Sequence, residues 1–307
     1  MDLVSVERLY KNRTIIAITI CIIVLLTVAI FIGNQILNSQ KKEEVYHIYF
    51  KQYLVGQKIK TQEIIKDVEL QAKNAEIKKK KQEIERLPNL TEEGIANMAS
   101  IYKSETKRVF LTFDDGPSKT VTPLILDLLK KEDIQATFFV LGARVELNPD
   151  LVKREYVEGH YIANHGYSHI YSKIYTSPQT VLDEYNKTNK AVQNAIGQQN
   201  YNSHLFRFPG GKPGGKYAEI KAGAVDLLKE NNIAYVDWNA LTGDAEGKTT
   251  PEEMLTELKE TAKDRNSLVI LMHDAGDKEA TYQVLPSVIQ YLRDEGYEFK
   301  NFYDIIK

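Results

Sequence analysis

Strand-like and helix-like segments alternate along the chain from residue 107 onward, and this alternation most limits the possible fold. Short apolar runs rich in β-branched and aromatic residues occur at 108–113, 135–141, 161–164, 205–208, 234–238, 268–272 and 297–302. The stretches between them carry apolar residues at helical spacing, and several begin with Ser, Thr or Asn followed by Pro, which is typical of a helix start. This alternation predicts parallel strands connected by helices, and therefore an α/β fold.

The number of these units favours a barrel related to the (β/α)8 type, with a doubly wound open sheet as the structural alternative. In such barrels the chemistry lies at the carboxyl ends of the strands. Here the ends carry the motifs FDDG (113–116), NHGYSH (164–169), RFPGG (207–211), DWNALTGD (237–244) and LMHD (271–274). Each motif is common by itself, but ionisable side chains at several independent strand ends predict one shared site.

The acidic and histidine side chains in these motifs indicate metal-assisted hydrolysis of an acyl compound. Asp115, His165 and His169 would supply one oxygen and two nitrogen ligands, the donor set of a catalytic divalent metal, with Zn²⁺ as the expected ion. Such a metal lowers the pKa of a bound water and makes it a nucleophile. A second carboxylate would take the proton of that water, and a histidine on another strand end would protonate the leaving group.

Taken in order, the motifs TFDDGP, HGYSH, RFPGG, DWNALTGD and ILMHD resemble those of the polysaccharide deacetylases, a chitooligosaccharide-deacetylase-like family of carbohydrate esterases. The match extends over residues 107–305 and includes all five family motifs. The resemblance implies a distorted (β/α) barrel that removes acetyl groups from a glycan. In its organisation the chain resembles membrane-anchored peptidoglycan N-acetylglucosamine deacetylases.

The resemblance also implies the roles of the reacting groups. Asp114 corresponds to the general base, and Asp115 corresponds to the metal ligand that acts with His165 and His169. This division of labour between the two acids rests on the resemblance and not on their spacing. His273 corresponds to the general acid that protonates the leaving amine.

Further residues are assigned supporting roles by the same resemblance. Arg207 would orient the base, and Asp244 would favour the protonated form of the histidine acid because it adds a nearby negative charge. The backbone N–H of Gly210 would stabilise the tetrahedral oxyanion, and Leu271 would form the apolar wall of the acetate pocket. The residues expected to contact the substrate are Pro209, Gly210, Trp238 and Leu271.

Three positions depart from the family pattern. Gly166 replaces the usual Ser or Thr of the second motif, so a hydrogen bond that fixes the loop is expected to be missing. Gly210 stands where Tyr often follows the proline of the third motif, and Ala245 stands where Trp commonly follows the aspartate of the fourth. These changes alter the expected shape of the substrate pocket and leave the reacting groups in place. Trp238 is expected either to supply part of the lost apolar surface or to pack in the core.

The N-terminal region predicts the location of the protein. Residues 14–33 form a run of twenty residues without a charged side chain, which matches the length of a helix that crosses a bilayer. Three basic residues lie just before this run, and the next basic residue after it is Lys41. The positive-inside rule therefore predicts residues 1–13 in the cytoplasm and the rest outside the cell membrane. An uncleaved signal-anchor is favoured over a signal peptide because the run is long and no small-x-small site follows it.

Residues 34–106 are predicted to form a helical stalk and linker that carry a catalytic domain at 107–307. Lys, Glu and Gln dominate this stretch up to residue 87, which is typical of a solvated helix. Leu70, Ile77 and Ile84 recur every seven residues, but lysines and an asparagine occupy the positions that would complete a coiled-coil seam. Only weak self-association through the stalk is therefore expected.

The composition of the chain limits the kinds of partner and metal site that it can have. A net charge of −2 argues against nucleic-acid binding through phosphate neutralisation. The single cysteine, Cys21, excludes an intrachain disulfide and a cysteine-based metal site. The expected partner is a glycan of the cell envelope, with N-acetylglucosamine of peptidoglycan as the first choice.

Several alternatives to this function stay open at the level of sequence. The substrate could instead be a chitooligosaccharide, poly-N-acetylglucosamine or acetylxylan. The chain could also be a catalytically silent glycan-binding or scaffold protein on the same fold. A phosphohydrolase is the third alternative because acid pairs followed by Gly occur at magnesium sites, although two histidines four residues apart favour a softer metal.

Overall fold

The structure, a computed structural model, describes residues 15–28, 40–85 and 87–306. The chain divides into two compact units, Met1–Lys80 and Lys81–Lys307. In the first unit, residues 15–28 form helix α1, which covers part of the predicted membrane segment. Residues 1–14 and 29–33, which complete the two predicted N-terminal segments, lie outside the described residues. Within the described ranges, no helix combines the length and the apolarity needed to cross a membrane.

Helix α2, Gln40–Glu85, occupies the stretch that the sequence predicts as a solvated helix. Its described large apolar side chains are exposed, for example Tyr49 and Ile64. Helix α3, Glu92–Ala99, follows in the second unit, and its first turn is capped by the Thr91 side chain, which accepts a hydrogen bond from the Gly94 N–H at 3.1 Å. This helix lies within the stretch that the sequence predicts as helical stalk and linker.

Eight parallel strands form one sheet in the described part of the second unit. They are β1 Arg108–Asp114, β2 Thr137–Val140, β3 Tyr161–Asn164, β4 Leu205–Phe206, β5 Ala234–Tyr235, β6 Ala240–Leu241, β7 Ser267–His273 and β8 Glu298–Lys300. The strand order is β5-β4-β3-β2-β1-β7-β6, and β8 pairs with the first half of β1. The apolar runs predict all of these strands except β6, which is only two residues long.

Helices connect the strands, as the alternation predicts. They are α4 Thr122–Lys131, α5 Gly142–Leu147, α6 Pro149–Val157, α7 Tyr171–Ile174, α8 Pro178–Ile196, α9 Ala218–Glu230, α10 Pro251–Ala262 and α11 Glu279–Asp294, with a 3-10 turn at Phe302–Asp304. Proline stands in the first turn of α8 and α10, and Ser177 and Thr250 form capping boxes at their starts. These are the start signals read from the sequence.

The sheet is curled and not flat. β5 and β6 lie at opposite ends of the strand order, yet residues 236–239 alone connect them. Seven strands side by side in a flat sheet would separate these edges by about 29 Å, whereas a link of this length reaches at most about 18 Å. The two edges must therefore curve toward each other. The result is a half-barrel consistent with the predicted distorted (β/α) barrel, and the open doubly wound alternative is wrong.

Alternate residues of β1 contribute to different parts of the core. Leu111 and Phe113 pack among residues of the surrounding helices, including Ile125 of α4. Phe110 belongs to a second cluster and lies with its ring 5.1 Å from that of Phe302. Because side chains alternate along a strand, Asp114 lies on the same side of β1 as Phe110. On this side Thr112 and Asp114 make the carboxyl end of the strand polar, and the predicted site lies there.

Candidate active site

The two adjacent carboxylates lie where β1 ends. Asp114 is its last residue, is 2% exposed, and is placed beside His273 by the register between β1 and β7. Asp115 has a left-handed backbone with a φ of 73°, which interrupts the alternation of the strand. Both carboxylates consequently line one cavity of about 300 Å³. Gly116 follows, and a Cβ at this position would lie 2.1 Å from the Asp274 carboxylate, so no larger residue fits.

Three side chains that face this cavity form a candidate metal centre. The Oδ1 atom of Asp115 lies 3.3 Å from Nε2 of His169 and 3.5 Å from Nε2 of His165. The candidate ligand atoms all lie within 4.8 Å of one another. Asp115 Oδ1 is buried and accepts no hydrogen bond from the described residues, which suits a cation as its partner. The three predicted ligands are therefore brought together and fit a divalent ion.

The protonation state of His165 is also the one that a metal ligand requires. Its Nδ1 lies 2.9 Å from the carbonyl oxygen of Arg207. A carbonyl only accepts, so Nδ1 donates and Nε2 is left with its lone pair toward the cavity. Burial lowers the pKa of His165 to about 3, although the charge of Asp115 opposes this. A neutral imidazole is the form that binds a metal.

A glutamate from helix α8 fixes the loop between the two histidines. Glu184 accepts hydrogen bonds from the backbone N–H groups of Tyr167 at 2.8 Å and Ser168 at 2.9 Å, and from the Ser168 hydroxyl at 2.5 Å. Asn164 Oδ1 accepts from the N–H of Gly166 at 2.9 Å. The loop is thus held although position 166 has no side chain. The predicted loss of loop fixation is therefore offset by Asn164 at the start of the motif and by Glu184 outside it.

Arg207 and the candidate base form a buried pair. The Arg207 Nη1 donates to Asp114 Oδ1 at 2.8 Å and to the Thr112 hydroxyl at 2.7 Å, and the guanidinium lies 3.9 Å over the ring of Phe139. Arg207 is fully buried. Burial raises the pKa of Asp114 above its ordinary value, and the positive charge of Arg207 opposes that rise. The predicted orienting role agrees with this geometry.

The candidate acid is paired with Asp244. His273 Nδ1 lies 2.9 Å from Asp244 Oδ1, and the His273 backbone N–H donates to Oδ2 at 2.7 Å. Thr281 donates a further hydrogen bond to Oδ2 at 2.8 Å. Burial lowers the pKa of His273, but the hydrogen bond and the charge of Asp244 outweigh it and raise the pKa to about 9. The imidazole is therefore protonated at neutral pH, as an acid requires.

The predicted substrate-binding residues divide into two groups. Gly210, Trp238 and Leu271 line the cavity. Pro209 is buried, and its carbonyl accepts a hydrogen bond from the Tyr175 hydroxyl at 2.7 Å. The complete lining consists of Asp114, Asp115, His165, His169, Tyr171, Phe208, Gly210, Trp238, Ala245, Glu246, Leu271 and His273.

The backbone around the predicted oxyanion donor is held from several sides. Gly210 and Gly211 both have left-handed φ values, 74° and 73°. The ammonium of Lys221 on α9 donates to the Gly211 carbonyl, and Lys221 is only 5% exposed. The Asp237 carboxylate accepts from the N–H of Lys212 at 3.0 Å. These contacts fix the conformation that orients the Gly210 N–H.

Three residues at this site are not predicted from the motifs: Glu184, Lys221 and Tyr171. A signal exists for Glu184, because it lies one turn from Val181 and Thr188 on the buried face of α8. An acidic residue within a buried stripe needs a hydrogen-bond partner. The sequence contains no comparable signal for Tyr171, because its proximity to Gly210 arises from two loops that are distant in the chain.

The fold and the groups at its strand ends are those of a hydrolase with a candidate metal site. Residues 102–236 match the family model described as polysaccharide deacetylase. The chain is 33% identical over 205 residues to a peptidoglycan-N-acetylglucosamine deacetylase from Bacillus cereus, covering 65% of this chain and 71% of that protein. The chain therefore belongs to the polysaccharide deacetylase family, which confirms the resemblance read from its motifs.

Two further comparisons agree with this assignment. Peptidoglycan-N-acetylglucosamine deacetylase PgdA from Listeria monocytogenes is 36% identical over 193 residues, which are 63% of this chain and 37% of that protein. The structure of a Streptococcus mutans CE4 esterase superposes with a TM-score of 0.62 at 34% identity, covering 70% of this chain and 92% of the other. The similarity thus extends over the fold as well as the motifs.

Proposed function

We propose that the chain is a metal-dependent N-deacetylase that acts on N-acetylglucosamine residues of peptidoglycan. The observation that carries this proposal is the convergence on one cavity of an Asp/His/His cluster, a second carboxylate and a histidine paired with an aspartate. The choice of substrate is supported by the relative from Bacillus cereus that is named for this activity.

Asp115, His165 and His169 would hold the metal, and their mixed oxygen and nitrogen donors suit Zn²⁺. When bound, a divalent ion supplies a Lewis acid that polarises the acetyl carbonyl and acidifies the attacking water. Both effects are needed because an amide is a poor electrophile and neutral water is a poor nucleophile.

Asp114 would take the proton from the attacking water. Its Oδ2 lies 3.7 Å from Nε2 of His165, so the carboxylate stands beside the Asp/His/His cluster, to which Asp114 does not belong. Its other oxygen accepts from Arg207 at 2.8 Å, which fixes the carboxylate and supports its ionised form. This arrangement meets the geometric requirement for a general base next to a nucleophile.

His273 would supply the proton for the leaving group. Attack of water on the amide carbon forms a C–O bond and puts negative charge on the former carbonyl oxygen, to which the Gly210 N–H would donate. Transfer of the His273 proton to the amide nitrogen then allows the C–N bond to break, giving acetate and a free amine. The hydrogen bond and the charge of Asp244 outweigh burial and raise the pKa of His273, which favours the protonated histidine before this step.

We further propose that residues 14–33 anchor the protein in the cell membrane with the catalytic region outside. The twenty uncharged residues and the basic residues before them support this orientation. Sedimentation of the full chain with membranes after alkaline washing tests the anchor. Recovery of the full chain in the washed supernatant would contradict it.

Acetate release by the purified chain on peptidoglycan, chitooligosaccharide and acetylxylan, with and without chelator, tests the function. The proposal predicts acetate and new free amines from peptidoglycan, and loss of both with chelator. Full zinc occupancy without acetate release on any glycan would favour a silent glycan-binding protein. Magnesium-dependent phosphatase activity that survives His165→Ala would favour a phosphohydrolase.

A further inference from the structure

A tyrosine that follows the second histidine lies in the cavity of the proposed active site. Tyr171 is the first residue of α7 and lines the cavity together with His169, Gly210 and Trp238. The Tyr171 side chain is 41% exposed although the aromatic residues next to it are largely buried. An exposed aromatic ring inside a cavity presents an apolar surface and a hydroxyl to whatever enters.

Tyr171 occupies the space that a side chain at position 210 would need. A Cβ on Gly210 would lie 2.5 Å from the Tyr171 hydroxyl oxygen and 3.0 Å from its Cζ atom. The φ of 74° at Gly210 independently disfavours any side chain there. The wall expected to be lost at Gly210 is therefore replaced by an aromatic ring from a different loop.

The position of the ring is well defined by its neighbours. The ring centroid of Tyr171 lies 5.6 Å from that of His169 and 5.8 Å from that of Tyr175. Tyr175 is 1% exposed, and its hydroxyl donates to the Pro209 carbonyl, next to Gly210. The loop before Tyr171 is fixed by Glu184. A ring held in this way loses little conformational entropy when a ligand packs on it.

We propose that Tyr171 contacts the substrate and determines specificity by binding the pyranose ring that carries the acetamido group. A pyranose has an apolar C–H face, which fits the tyrosine ring, and hydroxyl groups, which fit the phenol oxygen. This inference rests on the proposed function, because it assumes that an N-acetylated sugar enters the cavity. It assigns recognition to a residue that lies outside the motifs and is not one of the reacting groups.

Binding of chitotetraose to the metal-free full chain tests the inference without catalysis. Trp238 is the only tryptophan of the chain and lines the cavity, so its fluorescence reports binding directly. Tyr171→Ala is expected to weaken binding about tenfold or more, and Tyr171→Phe about threefold, because the phenylalanine keeps the ring and loses only the hydroxyl. Tyr49→Ala, at a tyrosine that is 67% exposed on α2, is the matched control and should bind as the unchanged chain does.

Kinetics on the zinc-loaded enzyme separate recognition from a merely structural role. Tyr171→Ala should raise KM for the N-acetylated glycan about tenfold, leave kcat within a few-fold, and retain the zinc content and melting temperature. Unchanged chitotetraose affinity in Tyr171→Ala would overturn the inference. Loss of zinc in parallel with sugar affinity would also overturn it, because it would show that the ring only supports the ligand loop.

The proposed contact can be tested further with Gly210→Ala. In the unchanged chain, the new methyl group would clash with the Tyr171 hydroxyl and would also be strained by the left-handed φ at position 210. In a Tyr171→Ala chain the clash with the hydroxyl is removed and the backbone strain remains. The drop in melting temperature should therefore be smaller in the Tyr171→Ala background, and equal drops would contradict the contact.

Failure of the proposed function can be distinguished from failure of this inference. A chain that binds chitotetraose but releases no acetate contradicts the proposed function and leaves the Tyr171 contact supported. A chain that does not bind chitotetraose overturns the inference.

Discussion

Replacing Asp244 with Asn tests the electrostatics of the candidate general acid. Asp244 and His273 are both nearly buried, with 8% and 9% of their surfaces exposed, and their side chains are 2.9 Å apart. Burial acts to lower the pKa of His273, and Asp244 is the main group that overcomes it, with smaller contributions from Asp114 and Asp115. Asparagine keeps the shape and one accepting oxygen but removes the negative charge.

The expected size of the effect follows from the pKa. A rise from the ordinary value of 6.5 to about 9 corresponds to about 3 kcal/mol in favour of the imidazolium in the folded protein. At pH 7.5 a group with a pKa of 9 is about 97% protonated, and one with a pKa of 6.5 is about 10% protonated. Because burial remains in the Asn variant, we expect its His273 pKa to fall to 6.5 or below, with about a tenfold smaller acid fraction at pH 7.5.

The same pair sets a pH window for stability. His273 has a raised pKa, so its contribution is complete below about pH 6.5 and is lost as the pH rises through about 9. Asp244 has a lowered pKa because of its hydrogen bond and attraction to His273, which outweigh burial, so its contribution is lost as the pH falls below the ordinary value of 3.8. The free energy of unfolding of Asp244→Asn should therefore differ most from that of the unchanged chain between about pH 4 and 6.5.

The assay is an NMR titration of the histidine ring in the metal-free protein, combined with urea unfolding at pH 6 and pH 10. Asp277→Asn is the control, because this exposed aspartate follows His273 in the same loop and is not a hydrogen-bond partner of it. In the Asp277→Asn variant, the pKa of His273 should stay near 9. A pKa above 8 in Asp244→Asn, or an equal loss of stability at both pH values, would refute the reasoning.

Four other substitutions test the rest of the site. Asp115→Asn should weaken zinc binding at least tenfold, whereas Asp114→Asn should keep the zinc and lose most turnover; equal zinc loss would show that the two roles are wrongly divided. Glu184→Gln should lower zinc affinity about tenfold in a chelator competition, since it loosens the loop between the histidines, and unchanged affinity would argue against this role. Arg207→Met should destabilise the protein to urea by about 3–5 kcal/mol because it leaves Asp114 buried without its partner; a loss below about 1 kcal/mol would contradict the pairing.

Periodicity was sufficient to predict most of the fold. The apolar runs predict seven of the eight strands and miss β6, because Ala240 and Leu241 lie inside the largely polar motif 237–244 and form no apolar run of their own. The number of strand–helix units favours a barrel, but the pattern does not give the strand order, and the observed curl follows from the short link 236–239 between strands at opposite edges. The order in which strands pair depends on packing between segments distant in the chain, and the periodicity of apolar residues does not report it.

The reacting groups could be predicted because strand ends place them. Asp114, Asp115, His165, His169 and His273 all follow or end buried strands, and all five line one cavity in the structure. Arg207 and Asp244, which hold two of these groups, are also predicted, but other supporting groups are not. Lys221 reaches the Gly211 carbonyl from helix α9, and Tyr171 meets Gly210 from another loop. Such contacts depend on how helices and loops pack, so only the folded structure identifies them.

The proposed function requires that the Asp/His/His cluster holds the metal on which acetate release depends. The most direct measurement is a titration of Zn²⁺ into the metal-free chain while acetate release from peptidoglycan is followed, with Asp115→Asn in parallel. We expect no release without metal, a rise that ends at one zinc per chain, and a much weaker response in Asp115→Asn. Undiminished release from the metal-free chain, or an unchanged zinc response in Asp115→Asn, would contradict it.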